Sequence, residues 1–253
     1  MKNLILLHRL LCFMLLLLLI SCSPKISLEK SEHVQYRMDS GTQEVDSVII
    51  REIEPYKKVI DSELSSVIGV SEQKMEKAQP EGLLGNFVAD LCLKKAKERK
   101  SSARIDFCFL NNGGLRTGLP KGDITKKKIF ELMPFENELV LITFNGGIAR
   151  QLFDFMANKG GMPVSGAAYV IGKKNAEGIV IGGAAFDSTR EYTAVTSDYL
   201  AGGGDDLGFL AGAKEKVYLD LKVRDAIIEY ITDENKKSHT IKVSLDGRVS
   251  KLP

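Results

Sequence analysis

The sequence predicts an α+β domain, and three observations support this. Segments whose apolar residues recur at helical spacing are mixed with short apolar segments of strand type. The two kinds do not follow the strict strand–helix–strand rhythm of parallel α/β proteins. No internal repeat with a solenoid period is present. The length of 253 residues suits one large domain or two small ones, preceded by N-terminal targeting segments.

The N-terminal segment, residues 1–21, is typical of an export signal. Basic residues precede an apolar run over 10–20, which has the length of a signal core and is too short to span a bilayer. Residues 19–22 fit the bacterial lipobox, in which Cys22 is acylated before the signal is removed. The alternative is a plain secretory signal cut near Ser21. We therefore expect lipidation at Cys22, which would anchor the protein to a membrane outside the cytoplasm, facing the periplasm or the cell surface.

Composition divides the rest into a polar tether over 22–43 and a domain over 44–253. The net charge is +2, from 35 basic and 33 acidic residues, and the signal carries basic residues only. The remaining chain is near neutral and has no block of lysine or arginine. Nucleic-acid binding is therefore not expected, because neutralisation of phosphates dominates that affinity.

Three helices and one strand are predicted in the N-terminal half of the domain. Residues 49–67 show helical spacing, although Pro55 should kink or restart that helix. Residues 84–95 place their apolar side chains on one face. Residues 104–110 form an apolar strand that ends in two asparagines and two glycines, and 125–132 form a short helix that its first residue, a threonine, can cap.

In the C-terminal half, residues 139–144 predict a strand that is ended by Asn145 and Gly146 and leads into a helix carrying Ile148, Leu152 and Phe155. Further strands, bounded by glycine-rich turns, are expected at 168–171, 179–181 and 191–196. A last helix over 222–231 and a terminal strand over 240–243 complete the prediction.

Cys92 and Cys108 are the two cysteines beyond the lipidation site, and each is flanked by apolar residues. Two buried thiols are the default prediction, although a disulfide is open in an oxidising compartment. The three histidines are not at metal-ligand spacing, which argues against a histidine-rich metal site. No serine or cysteine is placed beside a histidine base, so a catalytic triad has no support.

Two turn segments carry candidate ligand contacts. Asn111 and Arg116 flank glycines directly after a strand, where the backbone can approach a ligand closely and a guanidinium can pair with an anion. A hairpin turn is the alternative, since Asn-Gly is a strong turn signal. Phe135 follows a proline between a helix and a strand, where its ring could stack on a flat ligand. Burial in the core is the alternative for that ring.

Residues 197–206 combine an aromatic side chain, Tyr199, with three glycines and two carboxylates directly after a strand. The segment lacks the Gly-Lys-Ser/Thr ending of a phosphate-binding loop, and it lacks the alternating oxygen ligands of a calcium loop. A flexible loop with a solvated acidic tip is the alternative to a binding site.

Together these segments resemble the C-terminal domain of the 5'-nucleotidase family, over about residues 45–231. The matching pieces, in order, are 67–69, 84–90, 110–116, 133–135, 165–166, 186–187 and 198–205. The resemblance implies a layered, mixed-sheet domain that binds the nucleoside part of a nucleotide. In this family a separate metallophosphatase domain supplies two divalent metal ions and a histidine–aspartate pair.

By position, the resemblance implies that Phe135 and Tyr199 hold the base between them, with Tyr199 standing where the family usually has phenylalanine. Asp205 would accept hydrogen bonds from the ribose hydroxyls. Asn111 would contact the base or its surroundings, and Arg116 would hold the phosphate. The family's second phosphate-binding arginine is replaced by Pro80 in this chain, which departs from the pattern.

Three hypotheses follow from the resemblance. The first is the substrate-binding half of a 5'-nucleotidase that acts with a separately encoded metallophosphatase, because the tether over 22–43 leaves no room for the metal-bearing domain. The chain would then bind no cofactor itself, the metal pair would lie in the partner, and hydrolysis by this chain alone is not expected. The second is a non-catalytic lipoprotein that binds a nucleoside or nucleotide. The third is a structural envelope protein that has lost the site.

Overall fold

The structure is a computed structural model that describes residues 30–35 and 47–252. The predicted export signal, Cys22 and most of the predicted 22–43 tether lie outside the described residues. The chain divides into two compact units, Met1–Arg51 and Glu52–Pro253. Residues 30–35 are exposed coil. Among the described residues, no helix is both long enough and apolar enough to cross a membrane.

A five-stranded mixed sheet forms the centre of the second unit. Its strands are β2 (Phe107–Phe109), β4 (Glu138–Asn145), β5 (Val164–Ser165), β9 (Glu191–Ser197) and β10 (Glu215–Lys222), in the order β10-β4-β9-β2-β5. Strand β4 pairs antiparallel with both β9 and β10, whereas β2 runs parallel to β9. The predicted α+β class with mixed sheets is confirmed.

Both faces of this sheet are buried, and alternate residues of β4 belong to different cores. Leu139 and Leu141 point into the first core, and Val140 and Ile142 into the second. The first core is completed by helices α2 (Leu83–Arg99), α3 (Lys126–Leu132) and α6 (Val223–Lys236). The second is completed by α4 (Gly146–Asn158) and a four-stranded sheet. The unit is therefore layered, with the central sheet between two apolar cores.

Two smaller sheets flank the central one. The four-stranded sheet has the order β11-β6-β7-β8 and contains β6 (Ala167–Ile171), β7 (Ala176–Ile181), β8 (Ala184–Ala185) and β11 (Val249–Lys251). The two-stranded sheet pairs β1 (Val67–Ser71) with β3 (Gly122–Thr125). Helix α5 (Asp198–Ala201) is a single turn that follows β9 directly.

The predicted helices are confirmed, and those predicted over 84–95 and 222–231 are longer than predicted. The Thr125 side chain accepts a hydrogen bond from the Lys128 amide and so caps α3, as predicted. The first helix, α1 (Ser47–Leu64), ends before Val67, which belongs to β1. It also passes through Pro55 without interruption, so the predicted restart is wrong. Because the helix is exposed along its length, water can satisfy the carbonyl that the proline leaves unpaired.

Five of the predicted strands are formed, as β2, β4, β6, β7 and β9. The predicted terminal strand over 240–243 is not formed, because only Ile241 makes a bridge to Ser71 and the last strand is β11. Strands β1, β3, β5, β8, β10 and β11 are not among the predictions. The two cysteines, Cys92 and Cys108, are buried free thiols, in agreement with the default prediction, and burial raises the pKa of both.

Candidate functional site

A cavity of about 320 Å³ lies among three loops of the second unit. Its lining consists of Asn111, Gly113, Gly114, Arg116, Phe135, Asn137, Tyr199 and Asp205. The structure thus brings together all five residues that the sequence analysis selected as ligand contacts. The volume is near the lower end of the range for small-molecule sites, about 300–1,000 Å³. Such a cavity suits one small organic ligand.

The first loop follows β2 and holds Asn111 at the cavity. The amide of Arg116 donates to the carbonyl of Leu132, 2.8 Å away, and this bond ties the loop to the end of α3. A Cβ at Gly114 would lie 2.8 Å from Oδ1 of Asn111, so glycine is needed for the Asn111 side chain to lie across the turn. The loop after β2 does not close a hairpin, because β2 pairs with β5 and β9, and its turn places Asn111 at the cavity.

The second loop joins α3 to β4 and carries Phe135. The ring is 39% exposed, so it lies outside the two cores and presents apolar surface to the cavity. The guanidinium carbon of Arg116 lies 5.9 Å from the ring centroid, at the outer limit of a cation–π contact. Asn137, two residues further on, also lines the cavity, and the sequence analysis did not select it. Its place in the same short loop as Phe135 is the signal that would have found it.

The third loop follows β9 and includes α5, which carries Tyr199. The Ser197 side chain accepts a hydrogen bond from the Leu200 amide and caps this single turn. The Tyr199 side chain is 47% exposed and reaches back over the loop, where a Cβ at Gly204 would lie only 2.5 Å from its ring. Glycine at 204 thus makes room for the ring.

Asp205 connects the first and third loops. Its Oδ2 accepts a hydrogen bond from Nδ2 of Asn111 at 2.6 Å, and its Oδ1 accepts one from the Tyr199 hydroxyl at 2.8 Å. The bond from Tyr199 to this carboxylate raises the pKa of the phenol. Asp205 has φ of +54° and Asp206 has φ of +70°, a left-handed conformation that aspartate tolerates better than most residues. Because each carboxylate oxygen has a second lone pair, Asp205 can still accept hydrogen bonds from a ligand.

Positive charge in the cavity comes from Arg116, which is the one cationic side chain among its lining residues. Pro80 does not line this cavity but belongs to a smaller pocket with Asn112 and Met162. A neighbouring cavity of about 250 Å³ shares Asn111 and Asp205 with the site.

The described part of the chain has no group of three or more His, Cys, Asp or Glu side chains that could hold a metal ion. Of the histidines, His33 contacts Ser31 and His239 contacts Glu234, and neither lines the cavity. The donor set therefore does not fit a two-metal centre. What the cavity offers is apolar ring surface, a carboxylate acceptor and one guanidinium, which suits binding of a flat ligand with hydroxyl groups.

Residues 67–212 match the model of the 5'-nucleotidase C-terminal domain family. All five selected residues lie within this match.

Two similar curated proteins carry names from the same family. The 5'-nucleotidase of Vibrio cholerae is 26% identical over 200 residues, which covers 74% of this chain and 34% of that protein. Protein UshA of Yersinia enterocolitica is 29% identical over 201 residues, covering 74% of this chain and 35% of that protein. The chain thus spans about a third of the length of these two relatives.

Solved structures agree on the fold. A 5'-nucleotidase precursor from Thermus thermophilus superimposes with a TM-score of 0.68 at 22% identity, over 81% of this chain and 43% of that one. A putative 5'-nucleotidase from Staphylococcus aureus gives the same TM-score at 16% identity, over 85% of this chain and 46% of that one.

Proposed function

Because this chain belongs to the 5'-nucleotidase C-terminal domain family, we propose that it is the nucleoside- or nucleotide-binding part of a 5'-nucleotidase, acting with a separately encoded metallophosphatase. One observation carries the proposal. Two half-exposed aromatic side chains, Phe135 and Tyr199, reach the same cavity from different loops, and Asp205 lies in that cavity. Aromatic surface suits a base, and a carboxylate suits the hydroxyls of ribose.

Each contact in this proposal has a chemical role. Phe135 and Tyr199 stack on the base, an interaction worth about 1–3 kcal/mol per base with little dependence on base identity. Asp205 accepts hydrogen bonds from the ribose hydroxyls through the lone pairs that Asn111 and Tyr199 leave free. Arg116 pairs with the phosphate. Asn111 contributes mainly by fixing the Asp205 carboxylate.

Hydrolysis is assigned to the partner, since the described residues do not fit a metal pair. Two metal ions would supply the hydroxide and neutralise the transferring group, and the metallophosphatase would hold them. The role of this chain is to bind the nucleotide with its phosphate directed toward that partner.

Binding is tested by titration calorimetry of the full chain, purified in detergent, with adenosine, uridine and AMP. We expect all three to bind, and we expect the double variant Phe135→Ala/Tyr199→Ala to lose binding. If the wild-type chain binds none of the three ligands, the proposed function is refuted.

Catalysis is tested by release of phosphate from AMP in the presence of Mn²⁺. We expect no phosphate release from this chain alone, and we expect phosphate release when a metallophosphatase partner is added. Turnover by the isolated chain at ordinary enzyme rates, about 1–10³ per second, would overturn the division of labour.

A second candidate is a lipoprotein that binds nucleosides without taking part in hydrolysis. Two observations favour it: Arg116 is the one cationic side chain in the lining, and Pro80 stands where the family usually has a second phosphate-binding arginine. The ratio of affinities for AMP and adenosine separates the two candidates. A hydrogen bond to a charged group is worth about 1.5–3 kcal/mol, so Arg116 should make AMP bind roughly 10- to 150-fold tighter if it holds the phosphate. Equal affinities would support the nucleoside-binding protein.

We further propose that acylation of Cys22 holds the chain at a membrane outside the cytoplasm. A tethered chain would meet a co-anchored partner at a raised effective concentration. We expect Cys22→Ala to move the protein from the membrane to the soluble fraction, with unchanged affinity for adenosine and reduced cellular activity. Full cellular activity in the soluble variant would show that the lipid is not needed for partnership.

A further inference from the structure

The loop that carries Phe135 is short and partly exposed, and its position determines where the Phe135 ring lies in the cavity. It connects the end of α3 to the start of β4 over residues 133–137. Stacking requires the ring at a defined place before the ligand arrives, because ordering a mobile side chain on binding reduces affinity. Some other part of the fold must hold this loop.

The structure places one buried arginine against it. Arg224, the second residue of α6, is only 6% exposed, and its Nη1 lies 3.5 Å from the carbonyl oxygens of both Met133 and Phe135. Its Nη2 pairs with the carboxylate of Glu136. Its guanidinium carbon lies 4.3 Å from the ring centroid of Phe130, a cation–π contact.

Neighbours of Arg224 reinforce the attachment from the same segment, residues 220–224. The Val223 amide donates to the carbonyl of Asn137 at 2.9 Å, and the Asp220 amide donates to Oε1 of Glu138 at 2.7 Å. Lys222 also pairs with Glu136, but both of these side chains are about half exposed, so that ion pair is weak. The junction between β10 and α6 thus contacts the loop along most of its length.

An arginine is unfavourable at this place unless it has a specific partner. The first turn of a helix is the positive end of its dipole, and burial of a charge costs free energy unless the charge is paired. Glu136 supplies the countercharge, and the planar guanidinium can reach two carbonyls and a carboxylate at once. A lysine ammonium has neither the reach nor the fork for this set of contacts.

We infer that Arg224 is a positioning residue for ligand binding, which acts by fixing Phe135 rather than by touching the ligand. The predicted effect of Arg224 on ligand affinity rests on the proposed function. It does not follow from the family match, which ends at residue 212, before this segment begins. It assigns a role in recognition to the start of α6, which lines none of the cavity.

The test is a double-mutant cycle between Arg224 and Phe135, measured as the dissociation constant for adenosine on the full chain. We expect Arg224→Met to weaken binding at least tenfold and Arg224→Lys to weaken it by less. In a chain that already carries Phe135→Ala, Arg224→Met should weaken binding little further, because the ring that the arginine positions is gone. Lys222→Met, which removes the other cation beside Glu136, should change the constant by less than about fivefold. Wild-type affinity in Arg224→Met, or additive effects with Phe135→Ala, would overturn the inference.

A second readout keeps the test independent of the ligand and of global stability. Hydrogen exchange on the unliganded chain should become faster at residues 133–138 in Arg224→Met, with no change at residues 198–206. Arg224→Lys serves if the methionine variant does not fold. Uniform acceleration across the domain would show a merely structural arginine and refute the positioning role. If wild type binds neither adenosine nor AMP, the proposed function fails, while the exchange experiment still decides whether Arg224 holds the loop.

Discussion

Replacement of Asp205 by asparagine should separate ribose recognition from base stacking. The left-handed backbone at this position, with φ of +54°, accepts asparagine as readily as aspartate, so the change should not strain the loop. What changes is the carboxylate. The new amide cannot accept from both Asn111 and Tyr199, because one of its two atoms is a donor.

The magnitude follows from the hydrogen bonds that the carboxylate makes. A bond to a charged group contributes about 1.5–3 kcal/mol. Loss of the charged acceptor should therefore weaken adenosine binding by roughly 10- to 150-fold. Binding of 2',3'-dideoxyadenosine, which has no ribose hydroxyl to donate at these positions, should be nearly unaffected by Asp205→Asn.

Titration calorimetry with adenosine and 2',3'-dideoxyadenosine measures both quantities on wild type and variant. The matched control is Asp206→Asn, since Asp206 is the next residue, also has a left-handed φ, contacts Lys159 and does not line the cavity. Asp206→Asn should leave both affinities near wild type. Equal loss for the two nucleosides in Asp205→Asn, or no loss for either, would refute the role of Asp205 in ribose recognition.

Three further predictions concern stacking, backbone strain and pH. Phe135→Leu should weaken adenosine and uridine binding alike, by the roughly 1–3 kcal/mol of one stacking contact, as measured by calorimetry. Gly161→Ala should lower the free energy of unfolding in urea by about 2–4 kcal/mol, because φ is +106° and the new Cβ would clash with the Pro80 carbonyl oxygen. Glu136 has its pKa lowered to about 2 by hydrogen bonds from Lys222 and Arg224. Its contribution to stability should therefore be complete above its ordinary pKa, near 4.5, and lost as the pH falls through about 2, so the urea midpoints of wild type and Glu136→Gln should converge over that window.

Each of these predictions has a control. Binding of uridine that survives Phe135→Leu while adenosine binding is lost would argue for base-specific contact instead of stacking. Gly182→Ala, where φ is also positive but the new Cβ meets nothing within 4 Å, should cost less than Gly161→Ala, and the reverse order would refute the steric argument. A gap between the two urea midpoints that stays constant from neutral pH down to the acid limit would show that the charge of Glu136 is irrelevant.

Sequence reasoning predicted the central elements and the site loops because their signals are local. Strand β4 is a mainly apolar segment whose last residue, Asn145, caps the helix that follows, and α3 has its cap in the preceding threonine. Local signals also selected Phe135, which follows a proline between a helix and a strand, and Tyr199, which stands beside three glycines and two carboxylates. The resemblance then linked them into one site, and the structure places both at one cavity.

Some elements were missed despite a local signal, and others because their outcome depends on long-range pairing. Strand β10 carries a visible alternation of Val217, Leu219 and Leu221, which would have predicted it. The stretch around Ile241 has strand-forming residues but finds only a single bridge partner, so no ladder forms. The burial of Arg224 gave no signal in the sequence, because arginine side chains are mostly exposed. Its burial depends on a loop that lies far from it in the sequence.

The alternation of β4 between two cores has a consequence for how the domain comes apart. Since Leu139 and Val140 are neighbours in the chain but belong to opposite cores, displacement of this strand would disturb the packing of both cores. We therefore expect the two cores to unfold together when β4 leaves the sheet. The loops that line the cavity connect these same strands and helices. Ligand binding should therefore stabilise both cores against unfolding to the same extent. A denaturation curve would then report occupancy of the cavity as a shift of one midpoint, without an intermediate.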